Sequence, residues 1–167
     1  DERRLNTGDR PGTDWVPAEC DVSIRPGWFY HEKEDSEVRT PQNLLDLYYS
    51  SVGRGASLLL NLPIDRRGLI NENDVKSLLQ FHQLLNETFV NDLARASRIT
   101  ASEMRGQERR FSVTNLIDNS RSTYWMPNDS VQAAEITIDF GHLTEFNVIR
   151  LREYLPLGQR VDSFAVD

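Results

Sequence analysis

Glu19-Cys20-Asp21-Val22-Ser23-Ile24-Arg25 runs directly into Pro26-Gly27 and then Trp28-Phe29-Tyr30-His31, and the reading of this stretch decides the fold. From Glu19 to Arg25 polar and apolar residues alternate strictly, the period of a β-strand whose successive side chains point to opposite faces. One face gathers Glu19, Asp21, Ser23 and Arg25, and the other gathers Cys20, Val22 and Ile24. Pro26-Gly27 breaks the strand, because proline lacks an N–H and glycine turns freely. The break delivers four ring residues in a row, followed by the charged loop Glu32 to Arg39. Ahead of Glu19, residues 1–18 are polar and carry Gly8, Pro11, Gly12 and Pro17, so they read as a long loop.

Downstream the grammar is strand, helix, strand, helix. Thr40-Pro41 is a helix start, with Thr able to cap free N–H groups and Pro suited to the first helical position. Leu44, Leu45, Leu47, Tyr48 and Val52 follow at helical spacing, and Gly53 or Gly55 can end the helix. Ser57-Leu58-Leu59-Leu60-Asn61-Leu62-Pro63 is a short apolar run of the kind found in a parallel strand covered on both faces. Asn71 or Asn73 can cap a second helix, expected to bury Val75, Leu78, Leu79, His82, Leu85 and Phe89. This order predicts an α/β domain over residues 1–95. From residue 96 to 167 the pattern turns all-β: Ile136, Ile138 and Phe140 alternate with Glu135, Thr137 and Asp139, and Phe146 to Leu151 and Val161 to Val166 read as further strands.

Composition narrows the function classes. The 167 residues hold 26 acidic and 19 basic side chains, a net charge of −7, and no Lys/Arg cluster forms the basic stripe that phosphate neutralisation requires. Nucleic acid is therefore excluded as an expected partner. No apolar run approaches the roughly 20 residues that cross a bilayer, so no membrane insertion is expected. A single cysteine, Cys20, gives neither an internal disulfide nor a cysteine-rich zinc site. Two sequons, Asn86-Glu87-Thr88 and Asn128-Asp129-Ser130, occur, a pattern common by chance. Asp1 follows no Met, and Ser163 to Asp167 alternates like a strand with nothing after it, so the chain is expected to be a piece cut at both ends.

The polar strand face is the most informative local feature, since a parallel α/β strand should be apolar on both sides unless part of it meets a ligand. Sugar hydrolysis needs a carboxylic acid to protonate the leaving oxygen and a second one as nucleophile or base. Glu19 is the candidate acid. Trp15 and Trp28 could offer apolar faces to sugar C–H groups and raise the Glu19 pKa by desolvation. The same alternation also suits a solvent-facing strand with weak surface pairing. His82, on an apolar helix stripe, reads as structural. No metal-ligand spacing, Gly-rich phosphate loop or Ser-His-Asp order is present.

Trp15 to His31, read as a whole, resembles the acid/base segment of bacterial α-L-fucosidases, particularly the branch acting on α-1,3/1,4-linked fucose. Asn43-Leu44-Leu45, Gly53-Arg54-Gly55 and Leu58 to Pro63 look like that family's last helix and strand. Gly68-Leu69-Ile70 echoes its Asp-Gly-x-Ile step, with Arg67 where the Asp is usual. The resemblance covers roughly residues 10–95 and implies the C-terminal part of a (β/α)8 barrel, of which most precedes Asp1, since a barrel takes about 250 residues. From Ala96 on, Ile99-Thr100-Ala101-Ser102, Asn115 to Asn119, Thr123-Tyr124-Trp125 and Ile136 to Gly141 resemble the start of a discoidin-like β-sandwich, a galactose-binding-type jelly roll. In that family the Asp118 to Thr123 loop often holds a structural calcium.

The function so implied is an exo-acting, retaining α-L-fucosidase releasing terminal fucose from oligosaccharides, working in the periplasm or outside the cell. Glu19 would protonate the leaving sugar and then activate water, while the Asp nucleophile and the fucose-binding His residues lie on earlier strands outside this chain. Asp21, Arg25, Trp28 and His31 are the candidates for orienting the acid or contacting the substrate. No cofactor is required, no metal site is assigned, and the piece alone should be inactive. The rival readings are a non-catalytic carbohydrate-binding module and another retaining glycosidase on the same barrel.

Overall fold

The computed structural model describes residues 12–14 and 16–167. The expected loop over residues 1–18 and the expected role of Trp15 lie largely or wholly outside the described residues. The chain divides into two compact units between Val90 and Asn91.

The first unit has the β-α-β-α order expected of it. Strand β1 (Glu19–Ser23) pairs in parallel with β2 (Ser57–Asn61), in a register running from Glu19↔Ser57 to Ser23↔Asn61. Between them lies helix α1 (Pro41–Ser50), and α2 (Glu72–Phe89) follows β2. The caps are those the sequence announces. Thr40 Oγ1 accepts the Asn43 N–H at 3.2 Å with Pro41 in the first turn, and Asn71 Oδ1 accepts the Asn73 N–H at 3.0 Å. These bonds satisfy donors that the helix itself leaves without partners. After α1 a short 3₁₀ turn ends at Gly55, whose φ of +84° is a conformation that side-chain-bearing residues rarely adopt.

Ile24, Leu44, Leu45 and Phe81 form the core, with Leu60, Tyr48 and Leu85 packed against it. Ile24 and Leu44 retain no accessible surface, and burying such a side chain stabilises the fold by about 1.5–3 kcal/mol. Strand alternation therefore turns Cys20, Val22, Leu58 and Leu60 toward the helices. Glu19, Asp21 and Leu59 point to the other face, where all three are exposed. Double coverage, expected of the leucine run, is thus absent within this unit.

Two further expectations are corrected here. The polar face of β1 ends at Ser23, because Arg25 lies beyond the strand and is 1% exposed. The buried stripe of α2 is rotated from the one expected: Asp74, Ser77 and Phe81 are buried, whereas Val75, Leu79 and His82 are exposed. The reason is polar pairing. Asp74 meets Arg25, and the Ser77 hydroxyl donates to the Arg39 carbonyl, so two hydrophilic residues occupy inward positions that a hydropathy pattern assigns to leucine and valine.

The second unit contains one antiparallel pair, β3 (Arg98–Ala101) with β4 (Ile136–Asp139), in a register centred on Ile99↔Ile138. Short 3₁₀ turns fill much of the interval between them. Phe111 and Ile99 are buried, Phe111 lies against Tyr124 at 5.7 Å between ring centroids, and Tyr124 stacks on Tyr154 at 4.4 Å. Trp125 fixes its ring by donating Nε1–H to the Glu103 carbonyl at 2.9 Å. The strands expected at Phe146 to Leu151 and Val161 to Val166 are not formed. A strand persists only when its N–H and C=O groups are paired, and among the described residues no partner strand meets these two. No helix among the described residues is long and apolar enough to cross a membrane.

Candidate functional site

In parallel α/β folds the groups that meet a ligand gather beyond the C-terminal ends of the strands. Here those ends are Ser23 and Asn61, paired in the last register position, with the Ile24 N–H donating to the Asn61 carbonyl at 3.0 Å. Side chains then take over from the backbone ladder. The Asn61 amide Nδ2 donates to Ser23 Oγ at 3.1 Å and to the Trp28 carbonyl at 2.9 Å, while Ser23 Oγ donates to the Gly27 carbonyl at 2.8 Å. The turn at Pro26-Gly27 is thus stitched to the tips of both strands.

Arg25 holds the next part of the loop from below. Its guanidinium contacts Asp74 twice, through Nε at 2.9 Å and Nη2 at 2.9 Å, reaches Asp35 at 2.9 Å, and donates through Nη1 to the His31 carbonyl at 3.3 Å. The Tyr30 ring lies against the guanidinium at 4.7 Å, a cation–π contact. Burial alone would lower the Arg25 pKa, but hydrogen bonds and the charges of Asp74 and Asp35 outweigh it and hold the group above its ordinary value. Arg25 was a candidate for orienting the acid or contacting the substrate. With no exposed side-chain surface, it holds the loop through Asp74, Asp35 and the His31 carbonyl.

The rim so held presents Trp28 at 50% and Phe29 at 78% relative exposure, with His31 also exposed at the start of the 3₁₀ turn Glu32–Glu34. Tyr30 turns inward toward Arg25. Burial, and then the nearby Asp35 charge, raises the Tyr30 pKa, so its hydroxyl stays neutral at physiological pH. Trp28 and His31 are therefore exposed beyond the C-terminal ends of the strands.

Glu19 opens β1 and pairs with Ser57. With a rise of about 3.3 Å per residue, Glu19 sits some 13 Å along the strand from Ser23. Glu19 is exposed. Asp21, two residues nearer the C-terminal end and on the same face, is also exposed and is the closer of the two to the loop.

Beyond β2 the segment Ile64 to Ile70 closes on itself through an isolated bridge between its ends, with Gly68 at φ +76°. Asp65 accepts the backbone N–H groups of Arg67 at 2.8 Å and Leu69 at 3.3 Å, as well as the Arg67 guanidinium at 2.9 and 2.6 Å. The Arg67 side chain and then these N–H donors hold the Asp65 carboxyl below the usual carboxylate range. Arg67 also reaches Glu72 at 2.8 Å, in the first turn of α2. The arginine at this position thus has a structural use, tying the loop to the following helix.

In the second unit, Asp118 accepts the Ser120 N–H at 2.7 Å and the Thr123 hydroxyl at 2.7 Å, with Asn119 at φ +60° between them. This is the loop expected to hold calcium. It offers one carboxylate whose two oxygens already close the turn, whereas calcium takes six to eight oxygen ligands. No group of three or more His, Cys, Asp or Glu side chains converges for a metal among the described residues.

Sequence reasoning singled out Glu19, Asp21, Arg25, Trp28 and His31, and did not single out Asn61, Asp35 and Asp74, which hold the loop. Asn61 had a visible signal, a lone polar residue closing an apolar strand. Asp35 and Asp74 had none, since their partner lies on a distant segment.

Comparison with known proteins agrees with this architecture. The Alpha-L-fucosidase family profile matches residues 3–88. Alpha-L-fucosidase 1 of Arabidopsis thaliana is 43% identical over 161 residues, which cover 96% of this chain and 31% of that protein. A Ruminococcus gnavus GH29 fucosidase, solved in complex with fucose, superposes with a TM-score of 0.75 at 34% identity, over 80% of this chain and 27% of its own. A glycoside hydrolase 29 family member from an unknown rumen bacterium superposes with a TM-score of 0.56 at 42% identity, covering 60% of this chain and 18% of that one. The chain spans about a third of the length of the curated relatives it matches. Across the first unit the match runs through both strands, both helices and the stitched rim, and the chain belongs to the alpha-L-fucosidase family.

Proposed function

We propose that the protein containing this chain is an exo-acting α-L-fucosidase that hydrolyses terminal α-linked L-fucose from fucosylated oligosaccharides or glycoconjugates by a retaining double displacement, outside the cell or in the periplasm. The observation that carries the reading is the family match over residues 3–88, which spans the strand pair and its rim. The α-1,3/1,4 linkage preference belongs to the same proposal. It rests on the resemblance of Trp15 to His31 to that branch's acid/base segment and on a rim with exposed rings, suited to the sugar that carries the fucose.

In this reading the first unit is the C-terminal part of the catalytic (β/α)8 barrel and the second begins a discoidin-like β-sandwich. The two carboxyl groups of a retaining enzyme stand about 5–5.5 Å apart. Glu19 is the acid/base of that pair, supported by the resemblance of Trp15 to His31 to the family's acid/base segment, and the Asp nucleophile lies on an earlier strand outside this chain. Trp28 and His31 contact the sugar beyond fucose, Asp21 lines the strand face below them, and Arg25 and Asn61 hold the loop. No step uses a metal, and a calcium at Asp118 would only brace its loop.

The test is turnover by the complete enzyme of aryl α-L-fucosides and of α-1,3-, α-1,4- and α-1,2-fucosylated oligosaccharides, with the anomer of the released fucose followed by NMR. Release of the α-anomer first, from 1,3- and 1,4-linked substrates ahead of 1,2-linked ones, supports the reading. Saturable sugar binding without hydrolysis, or turnover of a different aryl glycoside, overturns it.

A further inference from the structure

We propose that Asn61 is a positioning residue for the aglycone sugar, acting through the Trp28 carbonyl to set the indole at the rim. The inference rests on the fucosidase reading and extends it to a residue outside the expected set.

The rim loop has little burial of its own to hold it. Trp28 is half exposed and Phe29 more so, and an exposed ring gains too little from packing to fix a backbone conformation. What fixes the loop is a row of carbonyls, those of Gly27, Trp28 and His31, each accepting from a side chain: Ser23 Oγ at 2.8 Å, Asn61 Nδ2 at 2.9 Å and Arg25 Nη1 at 3.3 Å. Arg25 also carries the buried ion pair with Asp74. Ser23 receives the Arg25 N–H as well. Asn61 differs from both, because among the described residues its amide bonds only to Ser23 Oγ and the Trp28 carbonyl.

The Asn61 backbone is rigid, lying in the last paired position of β2 and accepting the Ile24 N–H at 3.0 Å. A short, two-bond side chain on a fixed backbone transmits that rigidity to the carbonyl it grips. The residue type follows. Only an amide at this reach donates twice without adding charge, one N–H to a hydroxyl and one to a carbonyl. Leucine would fill the same volume and leave the Trp28 carbonyl unheld, and aspartate would set an oxygen against it.

The experiment is a double-mutant cycle in the complete enzyme, using Asn61→Leu, Asn61→Asp, Trp28→Ala and the Asn61→Leu/Trp28→Ala pair. Each is assayed on a fucosylated oligosaccharide and on an aryl α-L-fucoside, with thermal melting alongside. Both Asn61 variants are expected to raise KM for the oligosaccharide about tenfold, the effect of one lost hydrogen bond, with kcat and the aryl-fucoside constants little changed. The double variant is expected to be no worse than Trp28→Ala, since two residues acting through one contact do not add. Additive losses, an unchanged KM, or equal falls in kcat on both substrates overturn the proposal. A wild type that cleaves no fucoside overturns the fucosidase reading and this inference with it, whereas an active wild type with indifferent Asn61 variants overturns this inference alone.

Discussion

Arg25 and Asp74 form a two-pronged ion pair, Nε to Oδ2 and Nη2 to Oδ1, both at 2.9 Å, with neither side chain retaining accessible surface. The pair links the end of β1 to the first turn of α2. Removing Arg25 leaves the Asp74 charge buried without its partner, which costs about 3–5 kcal/mol, whereas removing Asp74 leaves Arg25 its second partner, Asp35. Arg25→Ala is therefore expected to lower stability in chemical denaturation by about that amount, while Arg25→Met/Asp74→Leu together should lose much less. Equal losses for the single and the double change would show that the ion pair is not the source.

Glu19→Gln tests the acid role. Loss of a true general acid lowers turnover about 10²–10⁴-fold, most severely for poor leaving groups. The change is therefore expected to lower kcat on a fucosylated oligosaccharide by about a hundredfold or more, with activated aryl fucosides largely spared. Equal losses on both substrates, or no loss, would remove Glu19 from the acid role.

Asp65 predicts a pH-dependent contribution. Its folded pKa lies below the ordinary value because Arg67 and two backbone N–H groups favour the carboxylate. Its stabilisation is thus fully present above an ordinary aspartate pKa of about 4 and is lost as pH falls through the depressed folded value. The melting temperature of Asp65→Asn is expected to fall below wild type at pH 7, with the gap closing below about pH 4. A gap that persists unchanged in acid would assign the effect to loop geometry rather than to charge.

His31 offers a cleaner contrast with Arg25. Only the His31 backbone carbonyl is held, and its side chain is exposed, so His31→Ala should alter melting by no more than an ordinary surface change, about 0.5 kcal/mol. Its expected effect is a higher KM on oligosaccharides. Arg25→Ala should show the reverse emphasis, a large loss of stability measured by denaturant titration.

Much of the fold was legible because its signals are local. Alternation from Glu19 to Arg25 marked β1, Thr40-Pro41 and Asn71 or Asn73 announced both helices, and the leucine run marked β2. What failed depended on distant partners. The inward turn of α2 could not be read because Asp74 and Ser77 look like surface residues until Arg25 and Arg39 arrive beside them. Arg25 looked like a ligand contact for the same reason. Phe146 to Leu151 has the composition of a strand, but composition supplies no hydrogen-bonding partner.

The convergence of Asp74, Asp35, the His31 carbonyl and the Tyr30 ring on one guanidinium makes strand tip, rim and helix a single mechanical unit. Anyone grafting the Trp28 to His31 loop onto a relative's scaffold to alter which glycan it accepts must transplant Arg25, Asp35 and Asp74 as a set, because the loop carries its rings but borrows its shape.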